Sequence, residues 1–241
     1  MIVLILAAGY GTRLYPLTKE IPKALLPVRG KPILRYLVEK CAPVQPRELV
    51  LVANHRYAEK FHSWFLSEKQ SIPWTVLDDG STSEENRLGS IGDLVFAIRN
   101  RSIQDDILVL GADNLFEDDL NGFFAFAKEK APGVTLGAYQ LPSLWLASRY
   151  GVLTVGPDNR VHRLEEKPKN PRVSLVSTAI YFFPASQLRW VLQYPGSTDT
   201  LGAFLSWLIP QESVFAFSFK RLWFDIGDRM SYQNAQELFS Q

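Results

Sequence analysis

Near its start the chain carries two glycines and two cations in an order suited to binding phosphate. An apolar run over residues 2–7 reads as a buried strand, and it breaks abruptly into a loop with Gly9 and Gly11. Glycines there let successive backbone N–H groups turn toward one point, forming a pocket for phosphate oxygens. Arg13 and Lys23 add fixed positive charge close by. A glycine-bearing turn after the first strand, joined by two cations, implies a polyphosphate ligand.

Two carboxylates supply a second kind of chemistry. Asp113 sits in Gly111-Ala-Asp-Asn114 and Asp225 in Trp223-Phe-Asp-Ile-Gly-Asp228, each at the end of an apolar stretch. If the fold brings them together they suit Mg²⁺, which takes hard oxygen ligands, few from protein and the rest from phosphate and water. Alone, either aspartate reads equally well as a turn residue or a helix cap. The three histidines, His55, His62 and His162, lack partners at recognisable spacing and read as structural or surface residues. No nucleophile motif centred on Ser, Cys or His stands out.

Apolar stretches alternating with helical patterns must position these groups. Residues 2–7, 49–53, 75–77, 107–111 and 134–139 read as strands. Residues 33–41, 58–65, 93–99 and 120–128 carry apolar side chains at the three- and four-residue spacing of amphipathic helices. That order predicts an α/β fold, a mostly parallel Rossmann-like sheet with helices on both faces. Ligands gather beyond the carboxyl ends of such strands, where Gly9 and Asp113 fall. Beyond about residue 140 the pattern becomes β-rich. A hairpin is expected over 150–165, strands at 173–183, 214–219 and 222–226, and helices at 186–192, 201–208 and 231–239. This half reads as a lobe built onto the first within one domain over residues 1–241, since no linker separates them.

Bulk properties narrow the class. The chain has 241 residues, 46% hydrophobic and 21% charged, with a formal net charge of +1. No basic stripe suggests nucleic acid, so phosphate affinity must be local to a pocket. Its apolar runs are too short to span a bilayer, and a signal peptide's basic start and cleavage site are missing. The single cysteine, Cys41, precludes an intrachain disulfide, reads as helix packing, and fits a reducing cytoplasm.

The glycine loop fits neither common phosphate-binding motif. No Gly-Lys-Ser/Thr follows Gly9 or Gly11, and Leu14 stands where a dinucleotide fingerprint needs its third glycine. Instead Leu6-Ala-Ala-Gly-Tyr-Gly-Thr-Arg-Leu14 with Pro22-Lys-Ala-Leu-Leu-Pro-Val28 resembles the signature of the sugar-1-phosphate nucleotidylyltransferases. The resemblance runs on through ordered motifs to Asp228.

The resemblance implies a role for each matching residue. Leu6, Ala8, Gly9, Gly11, Thr12 and Arg13 would hold the nucleotide, and Lys23 the phosphates. Asp113 and Asp225 would bind Mg²⁺. Leu88-Gly89-Ser-Ile-Gly-Asp-Leu94 is similar to a base-reading segment, with Gly89 leaving room for a pyrimidine. The stretch 78–87 before it is polar and turn-rich, and by its own composition reads as a loop long enough to fold over the nucleotide. Tyr150-Gly151-Val152 and Glu165-Glu166-Lys167-Pro168 resemble the sugar-phosphate elements. There Glu166 would accept sugar hydroxyls and Lys167 would pair with the phosphate. Ser177-Thr178-Ala179-Ile-Tyr181 matches the next segment, except that Ala179 stands where the family usually has glycine. Asp228 stands where the family usually has threonine, either as an outer-sphere ligand or as a helix cap.

The expected reaction joins an NTP to a sugar 1-phosphate, giving NDP-sugar and pyrophosphate. UTP or dTTP is favoured as donor and CTP stays open. Residues 1–140 would bind the nucleotide and residues 141–241 the sugar phosphate. The chain ends soon after the last motif, so no acyltransferase β-helix is expected. Neither nucleic acid nor membrane is an expected partner, and homo-oligomers stay open. Two alternatives remain: cytidylyl transfer to phosphocholine, which would call for an aromatic cage, and a catalytically weak module that senses nucleotide sugars.

Overall fold

The computed structural model describes residues 1–68 and 71–239. Its strands are β1 (Ile2–Leu6), β2 (Pro27–Val28), β3 (Lys31–Pro32), β4 (Glu48–Ala53), β5 (Trp74–Asp78), β6 (Ile107–Gly111), β7 (Asn114–Phe116), β8 (Val134–Gln140), β9 (Gly151–Val155), β10 (Val161–Glu166), β11 (Leu175–Phe183), β12 (Val214–Phe219) and β13 (Trp223–Asp225). The helices are α1 (Ile33–Cys41), α2 (Ala58–Ser67), α3 (Gly89–Asn100), α4 (Leu120–Lys130), α5 (Leu188–Gln193), α6 (Leu201–Leu208) and α7 (Arg229–Leu238).

One sheet crosses the molecule in the order β10-β9-β11-β6-β1-β4-β5, with β8 beside β11 and β12 beside β8. Strands β6, β1, β4 and β5 are parallel. Of these, β6, β1 and β4 read as apolar runs because both faces are covered, whereas the edge strand β5 carries Thr75 and Asp78 and is only half-buried. Helices α1, α2 and α4 bury Leu37, Phe61 and Phe123 on one face. On the other, α3, α5 and α6 bury Leu94, Val191 and Phe204. The β-rich half extends this same sheet, because β11 pairs antiparallel with β6 from Ile180↔Leu110 to Phe183↔Ile107. Cys41, the last residue of α1, is fully buried on the packed side of that helix, as expected, and burial pushes its thiol up to about 12.

Some elements depart from the sequence reading. The ribbon β2–β3 and the strand β7 are too short to show a period. Helix α3 begins at Gly89, four residues before the predicted start. Ile91 does stand three, four and seven residues ahead of Leu94, Val95 and Ile98, but Gly89, Ser90 and Gly92 are weak helix formers and mask the start. The first turn is held instead by the loop ahead of α6: Ser90 N donates to Asp199 O at 2.9 Å and Ile91 N to Thr198 O at 3.0 Å. Among the described residues no helix is long and apolar enough to cross a membrane.

Helix α3 also carries Asp93 into the core, where it is 5% exposed. Burial, reinforced by the charge of Asp79, pushes its carboxyl up to about 8. Between the ordinary carboxylate range and that value, the native state holds a proton that the unfolded chain has released. Stability therefore falls as pH rises across this window. Asp93→Asn should be the more stable protein at pH 8, with the difference shrinking as pH falls toward 4. Parallel melts across that range check it, and a pH-independent difference would contradict it.

Ala179 has φ +57°, a left-handed conformation, where the register of β11 against β8 slips between Ser177 and Tyr181. A Cβ in that region costs about 1–2 kcal/mol, and glycine removes the cost at some expense in chain entropy. Ala179→Gly should stabilise the fold by about 0.5–1 kcal/mol, read from urea denaturation; a loss of stability would refute the account.

Candidate active site

The site begins where β6 ends. Asp113 follows Gly111, and the next strand, β7, pairs antiparallel with β13 so that Asn114 stands opposite Asp225. Side chains lock this register. Trp223 Nε1 donates to Asn114 Oδ1 at 2.7 Å, and Asn114 Nδ2 donates to Gly111 O at 3.1 Å. Ile226 N donates to Asp113 O at 2.9 Å. The Trp-x-Asp and Asp-Asn motifs are thus two halves of one clasp, and the aspartates meet inside it.

Lys23 Nζ donates to Asp113 Oδ2 at 2.6 Å. Burial would raise the Asp113 carboxyl, but the Lys23 charge and hydrogen bond outweigh it and hold Asp113 below the ordinary range. Burial and then the Asp113 charge push Asp225 far upward, against the opposing pull of Lys23 and Arg13. A pair of adjacent carboxylates that resists double ionisation fits a divalent cation, whose charge removes the conflict. Among the described residues no group of three or more His, Cys, Asp or Glu side chains forms a metal cluster. Water and phosphate oxygens would therefore complete such a shell.

These aspartates open onto a cavity of about 320 Å³, whose walls also include Leu6 and Arg13. Tyr150, Gly151, Glu166, Lys167 and Thr178 line the same cavity, so residues from both halves of the sequence converge on it. A cleft of about 70 Å³, lined by Gly9, Lys23, Leu6 and Asp113, adjoins it through the last two.

Pairing of β9 with β10 sets Gly151 opposite Glu166. A Cβ on Gly151 would lie 3.3 Å from Glu166 Oε2, and one on Gly202 only 1.9 Å from it. The carboxylate occupies space that two bare backbones leave open. Lys167 turns left-handed at φ +47°, and its N–H donates to Tyr150 O at 3.0 Å. Its Nζ lies 3.7 Å from Glu166 Oε1. Thr178 is fully buried in the cavity wall, and its hydroxyl has no hydrogen-bond partner among the described residues. That hydroxyl lies toward Gly137 of β8, where an added Cβ would come within 2.4 Å of it.

The glycine loop is braced from below. Asn54 Nδ2 donates to Ala8 O at 2.9 Å, and Thr18 Oγ1 donates to Gly11 O at 2.7 Å. Gly11 is left-handed at φ +63° and leads into the turn Thr12–Leu14, which carries Arg13. Gly89 differs from expectation in its surroundings: it is buried, with φ +80°, and a Cβ there would lie 2.5 Å from Thr198 O. Protein backbone accounts for the missing side chain at that point. Asp228 caps α7, accepting from Ser231 N at 2.8 Å, and forms an ion pair with Arg149. Arg149, Ser90, Tyr181 and Thr200 also line the cavity. Sequence reasoning gave none of them a role, although Ser90 and Tyr181 lie inside quoted motifs and Arg149 directly precedes the Tyr-Gly-Val segment.

Known proteins resemble this chain over nearly its whole length. The family profile described as "Nucleotidyl transferase" matches residues 2–241. A Sulfolobus acidocaldarius protein, named provisionally as a mannose-1-phosphate guanyltransferase, is 33% identical over 231 residues, covering 95% of this chain and 60% of that protein. A glucose-1-phosphate adenylyltransferase of Thermosipho africanus is 28% identical over 253 aligned positions, covering 96% of this chain and 60% of its own length. The chain thus spans 60% of the length of each of these relatives. The fold is shared with a UDP-glucose pyrophosphorylase solved with UDP-glucose, at a TM-score of 0.83 and 19% identity over 98% of this chain and 97% of that one. The chain belongs to the nucleotidyl transferase family.

Proposed function

We propose that the chain transfers a nucleotidyl group from an NTP to a sugar 1-phosphate, with Mg²⁺ as cofactor, releasing NDP-sugar and pyrophosphate. The observation that carries this reading is the convergence of Lys23, Asp113 and Asp225 with Glu166 and Lys167 at one place: the two clefts share Asp113. An acceptor phosphate oxygen is already anionic near neutral pH, so a site of this kind needs positioning and charge neutralisation more than a general base.

The acceptor oxygen forms a bond to the α-phosphorus as the bond to the β-phosphate oxygen breaks, and pyrophosphate departs with that electron pair. Arg13 steadies the departing phosphates, and Lys23, anchored on Asp113, directs its remaining donors at them. Glu166, seated in the space that Gly151 and Gly202 leave for its carboxylate, orients sugar hydroxyls. Lys167 holds the acceptor phosphate in line. Mg²⁺ bound by Asp113 and Asp225 would supply neutralisation of the charge that gathers around the α-phosphorus.

The deciding experiment measures pyrophosphate release across ATP, CTP, GTP, UTP and dTTP with a panel of sugar 1-phosphates and phosphocholine. Release with a sugar 1-phosphate supports the proposal. Release with phosphocholine alone favours the choline reading, and tight nucleotide-sugar binding without release favours the sensing module.

Asp113→Asn and Asp225→Asn should each lower kcat by about a hundredfold or more while preserving the circular dichroism of the native fold. EDTA should abolish turnover in the native enzyme. Near-native rates in both variants, or full activity in EDTA, would remove the metal assignment.

Arg13→Ala should raise KM chiefly for the NTP, and Lys167→Ala chiefly for the sugar phosphate, since each removes a charge-assisted contact to one substrate. Initial rates with each substrate varied in turn would separate the two. An effect of Lys167→Ala confined to the NTP would show that this lysine serves the other substrate.

A further inference from the structure

Arg149 ends the short 3₁₀ segment Leu144–Arg149, immediately before Tyr150. It lines the large cavity with its side chain 38% exposed, and it forms an ion pair with Asp228. Asp228 is itself held firmly. Its Oδ1 accepts from Ser231 N at 2.8 Å at the start of α7, while Ser231 Oγ accepts from Asp228 N at 3.0 Å. Burial alone would raise the Asp228 carboxyl, but its bonds from Ser231 and Arg149 keep it below the ordinary range. The carboxylate therefore remains an anion through neutral pH.

A guanidinium has five N–H donors in a rigid plane and can bind a carboxylate on one edge while presenting another to phosphate. The position of Arg149 identifies which phosphate. Residue 150 follows it directly, and the Tyr150 carbonyl accepts from the N–H of Lys167 at 3.0 Å. Arg149 and Lys167 thus lie together on the side of the cavity formed by β9 and β10. Asp225 and Asp228 lie on one short segment, so the residue that restrains Arg149 is tied to the carboxylate pair. Lys23 is already committed to Asp113 at 2.6 Å, and Lys167 has Glu166 at 3.7 Å. An acceptor phosphate close to a triphosphate benefits from a second fixed cation.

We propose that Arg149 is a phosphate-binding residue for the sugar 1-phosphate acceptor, and that Asp228 is the positioning residue that holds its guanidinium toward the cavity. The assignment rests on the acceptor reading given above. Asp228 therefore combines two tasks, capping α7 and orienting a substrate-binding cation. A threonine could still cap the helix there, but it would carry no charge for Arg149.

The test uses the full chain with the best acceptor from the panel. Arg149→Ala should raise the acceptor KM about tenfold or more, the effect of losing one charge-assisted contact, with the NTP KM changed less than about twofold. Arg149→Lys should recover part of the loss, because it restores charge without the planar fork. Asp228→Asn keeps a good helix cap and should raise the acceptor KM several-fold with an unchanged melting temperature. An unchanged acceptor KM in Arg149→Ala overturns the proposal. So does a parallel rise in both KM values with a lowered melting temperature, which would mark the ion pair as a structural clasp only. If the native chain releases pyrophosphate with no sugar 1-phosphate, the acceptor reading itself fails and this inference fails with it. Native turnover with an unaffected variant rejects the Arg149 assignment alone.

Discussion

Two half-buried carboxylates in contact are the constraint around which this molecule is organised. Asp113 and Asp225 repel one another in a setting that also penalises charge, and nothing local in either segment would keep them together. Three separate parts of the chain do so. The ribbon of β7 and β13 fixes their backbones, Trp223 and Asn114 fix the ribbon, and Lys23 neutralises one of the pair at 2.6 Å. A third apolar cluster supports the arrangement from behind: Leu115 and Ile226, from the two carboxylate segments, pack with Leu14, Leu26 and Ala235. The same cluster therefore anchors the turn of Arg13, the segment of Lys23 and helix α7. Charge placement at the site depends on apolar packing beneath it.

The sheet explains how residues far apart in sequence reach this point. Parallel strands β1 and β6 end side by side, with Leu6 opposite Gly111, so the glycine loop and Asp113 emerge together. Antiparallel β11 then lies against β6 and carries Thr178 and Ala179 to the other wall of the cavity. A second connection crosses the cleft. The start of α3 is tied to residues 198–201 by Ser90 and Thr198, and Arg87 pairs with Asp199 at 2.6 Å. The two halves of the sequence thus share a continuous sheet and a strap, and each half supplies walls to one cavity.

Much of this could be read from sequence because its physical signals are local. Unbroken apolar runs marked β1, β4 and β6, and three- and four-residue spacing marked α1, α2 and α4. Asp113 and Asp225 were identifiable because each lies at the end of an apolar stretch, and the resemblance linked them. What stayed hidden was pairwise and long-range. No local pattern in residues 114–116 announces a strand whose partner is residues 223–225. The asparagine beside Asp113 looks like a turn residue until Trp223 is found bonded to it. Gly89 illustrates the same limit: its type correctly signals a forbidden side chain, but only the fold shows that the excluding group is the backbone of Thr198 and Asp199.

Backbone conformation around the cavity follows a related logic. Gly11, Gly89, Lys167 and Ala179 all have positive φ, and the last two are residue types for which that region is costly. Lys167 and Ala179 both line the cavity. Left-handed turns redirect a chain abruptly at a strand end, which lets one strand finish in the sheet while its next side chain enters the cleft. Lys167 shows the gain directly: its own N–H remains bonded to Tyr150 O, so the chain stays attached to β9 as the lysine leaves the ladder. Strain held by surrounding hydrogen bonds collects at such places because a site needs side chains pointing where regular secondary structure would not send them. Among the described residues, Lys167 and Ala179 bear such conformations beside the groups that would bind phosphate, whereas Arg29, Gln45, Ser102 and Asn159 adopt them away from the cavity.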